Sequence, residues 1–194
     1  MRKQIASLTS VVFSPFLMGL ILIFLVSLES TASVIDAIKW SLILIGLSIL
    51  PTYLAVIYLI RSKKVDSISV SIRRQRHQIY ALAVILGSVG CIILFFLKAP
   101  IIMIALFVSG LVGAVIFLGI NLWWKISIHT AFTAALVTLL VILYGFVAII
   151  AIVLLPLAAW ARLELKHHSL AQLIAGALVA LLVLIAVFYP FGLI

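Results

Sequence analysis

Seven apolar segments follow one another along the 194-residue chain, and only short polar loops separate them. They cover residues 11–28, 40–60, 79–97, 100–122, 130–144, 146–161 and 170–189. A transmembrane helix needs about 20 apolar residues, so most of these segments are long enough to cross a bilayer. The sequence therefore predicts an all-α fold, a polytopic transmembrane helical bundle that forms one integral membrane domain over residues 1–194.

The composition excludes several other classes of protein. Hydrophobic residues make up 68% of the chain and charged residues only 9%. A soluble domain is about half apolar and about a quarter charged. The composition therefore excludes a soluble globular protein, a disordered tail and a nucleic-acid-binding arm. We expect the protein to be surrounded by membrane lipids and to have no nucleic-acid partner.

The number of crossings depends on Gly145. The segment from His129 to Arg162 would be about 50 Å long as one helix, whereas the hydrocarbon core is about 30 Å thick. A turn near Tyr144 and Gly145 divides it into two short helices that fit. We therefore expect six to seven membrane-crossing helices, and seven if the turn forms.

Seven crossings place 11 of the 13 Lys and Arg residues on one side of the membrane. These are Arg2, Lys3, Arg61, Lys63, Lys64, Arg73, Arg74, Arg76, Lys125, Arg162 and Lys166. All four histidines lie on the same side. Because Lys and Arg accumulate in cytoplasmic loops, this basic face is predicted to be cytoplasmic.

The polar residues that remain concentrate where loops meet helices. One such junction ends with Arg73 and Arg76, a second contains Lys125, Ser127 and His129, and a third contains Arg162, His168 and Gln172. His168 and Gln172 are four residues apart, so they share a helix face. Gln172 can then hydrogen-bond one ring nitrogen of His168 and orient the other, as a nucleophilic imidazole requires. The Arg162 guanidinium suits phosphate oxygens.

A metal centre is not expected at these junctions. The four acidic residues are isolated along the chain, and a hard-cation site needs several carboxylates together. His129, His167 and His168 lack a cysteine or carboxylate at a spacing suited to zinc. The sequence therefore predicts neither a metal nor another cofactor.

Three motifs resemble those of the type-2 phosphatidic acid phosphatase superfamily. Arg162-x5-His168 resembles its third motif, Ser-Arg-(x)5-His-(x)3-Asp. Ser127-x-His129 resembles the second, Pro-Ser-Gly-His, and the stretch ending in Arg76 resembles the first, Lys-(x)6-Arg-Pro. The resemblance covers roughly residues 50–190.

The resemblance implies a metal-independent integral-membrane phosphatase of a lipid phosphate or diphosphate, either phosphatidate-like or polyprenyl. His168 would be the nucleophile that forms a phosphohistidine, and His129 the general acid. Arg162 and Arg76 would bind phosphate, and Ser127 would donate a hydrogen bond to it. A lipid phosphate is the implied partner, and the oligomeric state stays open.

The chain also departs from the family pattern. Ala161 stands in place of the Ser of the third motif, and Gln172 in place of its Asp. Ile126 and Ile128 replace the Pro and Gly of the second motif, and Ser69 stands where the first has Lys. Because the Lys of the first motif is missing, another cation would have to take its role.

Lys64, Arg73 or Lys125 could take over from the missing Lys, and Arg73 and Lys125 are counted among the candidate phosphate ligands. A neutral Gln172 stabilises an imidazolium less than a carboxylate does. A catalytically inactive relative that binds anionic lipid headgroups is therefore the alternative to an enzyme. A small transporter subunit is a third hypothesis, although the apolar segments hold no ionisable side chain near mid-membrane.

Overall fold

A computed structural model describes residues 1–66, 70 and 72–194. This part of the chain forms nine α-helices and contains no β-strand. The helices are α1 (Arg2–Val12), α2 (Pro15–Glu29), α3 (Val34–Leu47), α4 (Ile49–Arg61), α5 (Arg76–Phe96), α6 (Ile101–Asn121), α7 (Ile128–Tyr144), α8 (Leu154–Glu164) and α9 (Leu170–Phe188). Two 3-10 helices, Arg73–Gln75 and Gly145–Val153, precede α5 and α8. The predicted all-α fold is confirmed.

Six helical stretches in the described residues are long and apolar enough to cross a membrane. Two of them join consecutive helices, α1 with α2 over Arg2–Glu29 and α3 with α4 over Val34–Arg61. α5, α6 and α9 account for three more, and the longest stretch is Ile128–Glu164. The prediction of a multi-pass membrane protein is supported by these lengths and compositions, and the side on which the basic face lies stays a prediction.

The predicted turn at Gly145 is confirmed. Its backbone has φ 68° and ψ −153°, a conformation that suits glycine because it lacks a Cβ. Tyr144, the last residue of α7, and Leu154, the first of α8, are ten positions apart, so one continuous helix would separate them by about 15 Å. Instead α8 contacts α7. The Ile128–Glu164 stretch therefore reverses direction and has two arms.

Helix α1 was not predicted from the apolar segments. It buries two small residues, Ala6 and Ser10, while Ile5 and Leu8 are exposed. A search for apolar runs overlooks such a helix because its buried face is small and partly polar. Pro15 is the first residue of α2. An N–H at this position would have no intrahelical acceptor, so proline, which lacks the N–H, costs the helix no hydrogen bond.

The described residues divide into two compact units. The first contains Met1–Leu22 and Lys125–Ile194. In it α7 packs on α9 and α8, and α1 packs on α8. Gly176 of α9 permits the closest approach, because a Cβ there would overlap the carbonyl oxygen of Ser127 and lie 2.9 Å from Thr130 Oγ1. Small residues at a helix interface allow this kind of packing in membranes.

The second unit contains Ile23–Trp124. Its α5 packs along α6, and α3 and α4 contact α5. The rings of Tyr80 and Phe117 meet edge to face, with centroids 6.0 Å apart. This unit carries the first of the three sequence motifs.

Candidate functional site

The loop between α8 and α9 carries His168, and hydrogen bonds that cap the two helices fix both of its ends. At the end of α8, Lys166 N–H donates to Leu163 O at 2.9 Å and His167 N–H donates to Arg162 O at 3.1 Å. This pair of bonds is a Schellman motif, with Lys166 in the left-handed conformation at φ 56°. The loop thereby keeps His167 and His168 next to the last turn of α8.

The start of α9 is fixed by a capping box. Gln172 N–H donates to Ser169 Oγ at 3.4 Å, and Ser169 N–H donates to Gln172 Oε1 at 3.2 Å. Reciprocal bonds of this kind satisfy two backbone donors that a helix N-terminus would leave unpaired. The side chain of Gln172 is therefore held in one orientation.

The same Gln172 oxygen orients His168. His168 Nδ1 lies 3.0 Å from Gln172 Oε1. Because a backbone N–H can only donate, the Gln172 atom that faces Ser169 N–H is the amide oxygen, and His168 Nδ1 must be the donor in the second contact. The lone pair of a neutral His168 ring then lies on Nε2. The predicted contact between Gln172 and His168 is confirmed. The prediction that the two residues share a helix face is wrong, because His168 lies in the loop before Ser169, the N-cap of α9. His168 is 7% exposed.

Lys125 and Ser127 come from the segment before α7 and reach this loop. Lys125 Nζ donates to His167 O at 2.7 Å. Ser127 N–H donates to Gln172 O at 3.2 Å. The Ser127 hydroxyl is the N-cap of α7 and accepts from Thr130 N–H at 3.5 Å. Two of the predicted phosphate ligands therefore contact the backbone of residues near His168, and these contacts are structural.

His129 is buried in the first turn of α7, two residues after Ser127, and is 4% exposed. Thr130 Oγ1 donates to Leu173 O at 2.9 Å and so fastens this turn to the first turn of α9. The sequence motifs that contain His129 and His168 are thus adjacent at the beginnings of two packed helices.

Arg162 lies in the last turn of α8 and is 2% exposed. Its Nη1 donates to Ser10 Oγ of α1 at 2.8 Å. Sequence reasoning missed Ser10, because 152 residues separate it from Arg162. A buried arginine stays charged, so this end of α8 presents a positive charge where solvent screening is weak.

Arg73 and Arg76 belong to the second unit, where both bind backbone carbonyls. Arg73 Nη1 donates to Asn121 O at 2.7 Å and to Leu122 O, at the C-terminal end of α6. Asn121 Nδ2 donates back to Arg73 O at 3.0 Å. Arg76 is buried and its Nε donates to Val70 O at 2.7 Å. These contacts give both residues a structural role, and their phosphate-binding role stays a prediction. Ser69 of the same motif lies outside the described residues.

The charge of the first unit favours an anionic ligand. Its sequence holds five cationic side chains and one acidic side chain, Glu164, which pairs with Arg2 at 3.0 Å. The cations are Arg2, Lys3, Lys125, Arg162 and Lys166. Among the residues that the structure describes, no three His, Cys, Asp or Glu side chains are grouped so as to hold a metal ion. The arrangement can bind an anion and offers it an oriented imidazole.

Comparisons of the chain with protein-family models, with curated proteins and with solved structures found no match.

Proposed function

We propose that this protein is a metal-independent integral-membrane phosphatase that hydrolyses a lipid phosphate or diphosphate, phosphatidate-like or polyprenyl. The contact of His168 Nδ1 with Gln172 Oε1 at 3.0 Å supports this function most directly. It leaves the lone pair on Nε2, which is the atom that must attack phosphorus. The cations Lys125 and Arg162 belong to the segments that contact the loop of His168.

The reaction proceeds in two displacements. His168 Nε2 attacks phosphorus, and the bond from phosphorus to the leaving oxygen breaks while His129 gives that oxygen a proton. Water then attacks the phosphohistidine, His129 takes a proton from that water, and the phosphorus–nitrogen bond breaks to release phosphate. Arg162 balances charge on the phosphate oxygens.

The surroundings favour a substrate with an apolar tail. The motifs stand at the ends of long apolar helices, and the chain has no segment polar enough for a separate soluble domain. A lipid tail would remain in the bilayer while its phosphate reaches the helix ends. A water-soluble phosphate ester would gain nothing from this apolar environment.

Phosphate release from dispersed phosphatidate and from a polyprenyl diphosphate, measured with EDTA present, tests the proposal. His168→Ala should reduce the rate to background because the attacking nitrogen is lost. His167→Ala is the matched control, since it removes the neighbouring imidazole and keeps the backbone carbonyl that binds Lys125. An unchanged rate in a well-folded His168→Ala protein would refute the mechanism.

A second function follows from the neutrality of Gln172, which already serves as the capping-box residue of α9. If Gln172 serves only to cap α9 and gives no charge to the imidazole, the same residues would bind anionic lipid headgroups without hydrolysing them. Purified protein that binds phosphatidate vesicles but releases no phosphate would favour this function. Activity that appears in Gln172→Asp would show that only the carboxylate was missing.

A further inference from the structure

Arg162 and Ser10 form a buried contact between two distant parts of the chain. Arg162 Nη1 donates to Ser10 Oγ at 2.8 Å, and the two residues are 2% and 8% exposed. A hydrogen bond that involves a charged group is stronger than a neutral one. Ser10 therefore constrains the guanidinium of Arg162 from the side of α1.

The packing of α1 on α8 explains how a side chain as short as serine reaches Arg162. α1 buries Ala6 and Ser10, and the facing helix α8 buries Ala158 and Ala161 together with Arg162. Small side chains let two helices approach closely in a membrane. A second polar link between these helices, Arg2 to Glu164, involves a side chain that is 74% exposed, and such ion pairs contribute little.

We propose that Ser10 is a positioning residue for phosphate binding by Arg162, and that α1 is therefore a functional part of the site. A guanidinium carries five N–H donors in one plane. When the Ser10 hydroxyl accepts from Nη1, it restricts the orientations of that plane before the substrate arrives. Preorganisation of this kind improves binding because less conformational freedom is lost on association.

This inference rests on the proposed function and extends it to a new element. Ser10 lies outside residues 50–190, the part of the chain that resembles the phosphatase superfamily. Its role follows only from the contact with Arg162. The substrate group concerned is the phosphate of the lipid, whichever tail it carries.

The test compares Ser10→Ala with Ser7→Ala, an exposed serine of the same helix. Two measurements give three quantities: steady-state kinetics with short-chain phosphatidate and EDTA give KM and kcat, and binding of its non-hydrolysable phosphonate analogue gives Kd. Ser10→Ala should raise Kd and KM roughly tenfold, equivalent to about 1.4 kcal/mol, with a smaller change in kcat. Ser7→Ala should match the wild type in all three.

Two further variants keep the test decisive if Ser10→Ala unfolds. Ser10→Thr keeps the hydroxyl and should bind the phosphonate as the wild type does. Ser10→Cys has nearly the same size, but its sulfur is a weak acceptor, so it should bind roughly tenfold more weakly, equivalent to about 1.4 kcal/mol. Equal Kd values for Thr, Cys and wild type would overturn the role of Ser10.

The two measurements separate this inference from the proposed function. If the protein releases no phosphate but binds the phosphonate in a Ser10-dependent way, the phosphatase proposal fails and the positioning role stands. If it releases phosphate with KM and Kd independent of Ser10, the positioning role fails and the phosphatase stands. If it neither releases phosphate nor binds the phosphonate, both fail.

Discussion

Gln172 makes two side-chain contacts that serve different purposes. Its Oε1 accepts from Ser169 N–H, which caps α9, and from His168 Nδ1, which orients the candidate nucleophile. Because one oxygen does both, the orientation of His168 is coupled to the start of the helix. The side chain gives the imidazole direction but no negative charge.

Replacement of Gln172 by Glu should raise the rate of phosphate release. Glutamate has the same length, so both contacts can persist, and a charged acceptor stabilises the imidazolium more than an amide does. We expect an increase of about fivefold in kcat, because a hydrogen bond to a charged group contributes roughly 1 kcal/mol more than a neutral one.

Gln172→Leu should have the opposite effect, because it removes both contacts at similar volume. Its kcat should fall at least about fivefold, in line with the roughly 1–3 kcal/mol cost of leaving a buried polar group unsatisfied. Steady-state rates with short-chain phosphatidate measure both variants. A kcat for Gln172→Leu equal to that of the wild type would show that this contact does not serve catalysis.

At the same scale, sequence reasoning predicted some contacts and missed others for clear reasons. The contact of His168 with Gln172 is local, so closeness in the sequence was sufficient to predict it, although His168 lies in the loop before α9 and not on the helix. The contact of Arg162 with Ser10 is tertiary, and no local pattern indicates it. A cluster of arginines also does not show whether each one binds phosphate or, as Arg73 does here, the carbonyls at a helix end.

Among the helices, the pair α7 and α9 brings the second and third motifs together. Ser127 N–H and Thr130 Oγ1 both donate to backbone carbonyls of the first turn of α9. This approach requires Gly176, where a Cβ would overlap the Ser127 carbonyl oxygen. The relative placement of His129 and His168 therefore depends on a glycine that performs no chemistry.

Gly176→Ala should destabilise the protein by about 1–3 kcal/mol, the usual cost of overpacking a tight interface. It should also lower phosphate release, because α7 must move away from α9. Gly113→Ala is the matched control, since a Cβ at Gly113 of α6 has no neighbour within 4 Å. Thermal unfolding in detergent measures both variants, and equal melting temperatures would contradict the close approach.

The helices also show where hydropathy is informative. The apolar segments predicted the long helices and the reversal at Gly145, because chain length and bilayer thickness limit each crossing. They did not predict α1, whose buried residues Ala6 and Ser10 are small while its apolar residues are exposed. The signal in the sequence is a pair of small residues four positions apart, Ala6 and Ser10, which can lie on one face of a helix.

At the scale of the whole molecule, the basic composition and the apolar helices together favour one class of ligand. The net charge is +9, and Glu164 is the one acidic residue of the first unit. In the proposed function, the membrane helices would bring a lipid tail close, and the cations would attract its phosphate. Composition alone left cytoplasmic loops, anionic headgroups and an anionic substrate open, and the lipid phosphate was predicted from the resemblance of the motifs. The hydrogen bonds of individual cations, such as Arg162 with Ser10, required the structure.

The central claim is that His168 Nε2 becomes covalently bonded to phosphorus during the reaction. Purified protein should be incubated briefly with 32P-labelled phosphatidate in EDTA, quenched in alkali and separated from lipid. A phosphohistidine is stable to alkali and is hydrolysed by acid, so we expect alkali-stable, acid-labile label in the wild type and in His167→Ala, and none in His168→Ala. Phosphate release without labelled protein, or equal labelling of His168→Ala, would contradict the claim.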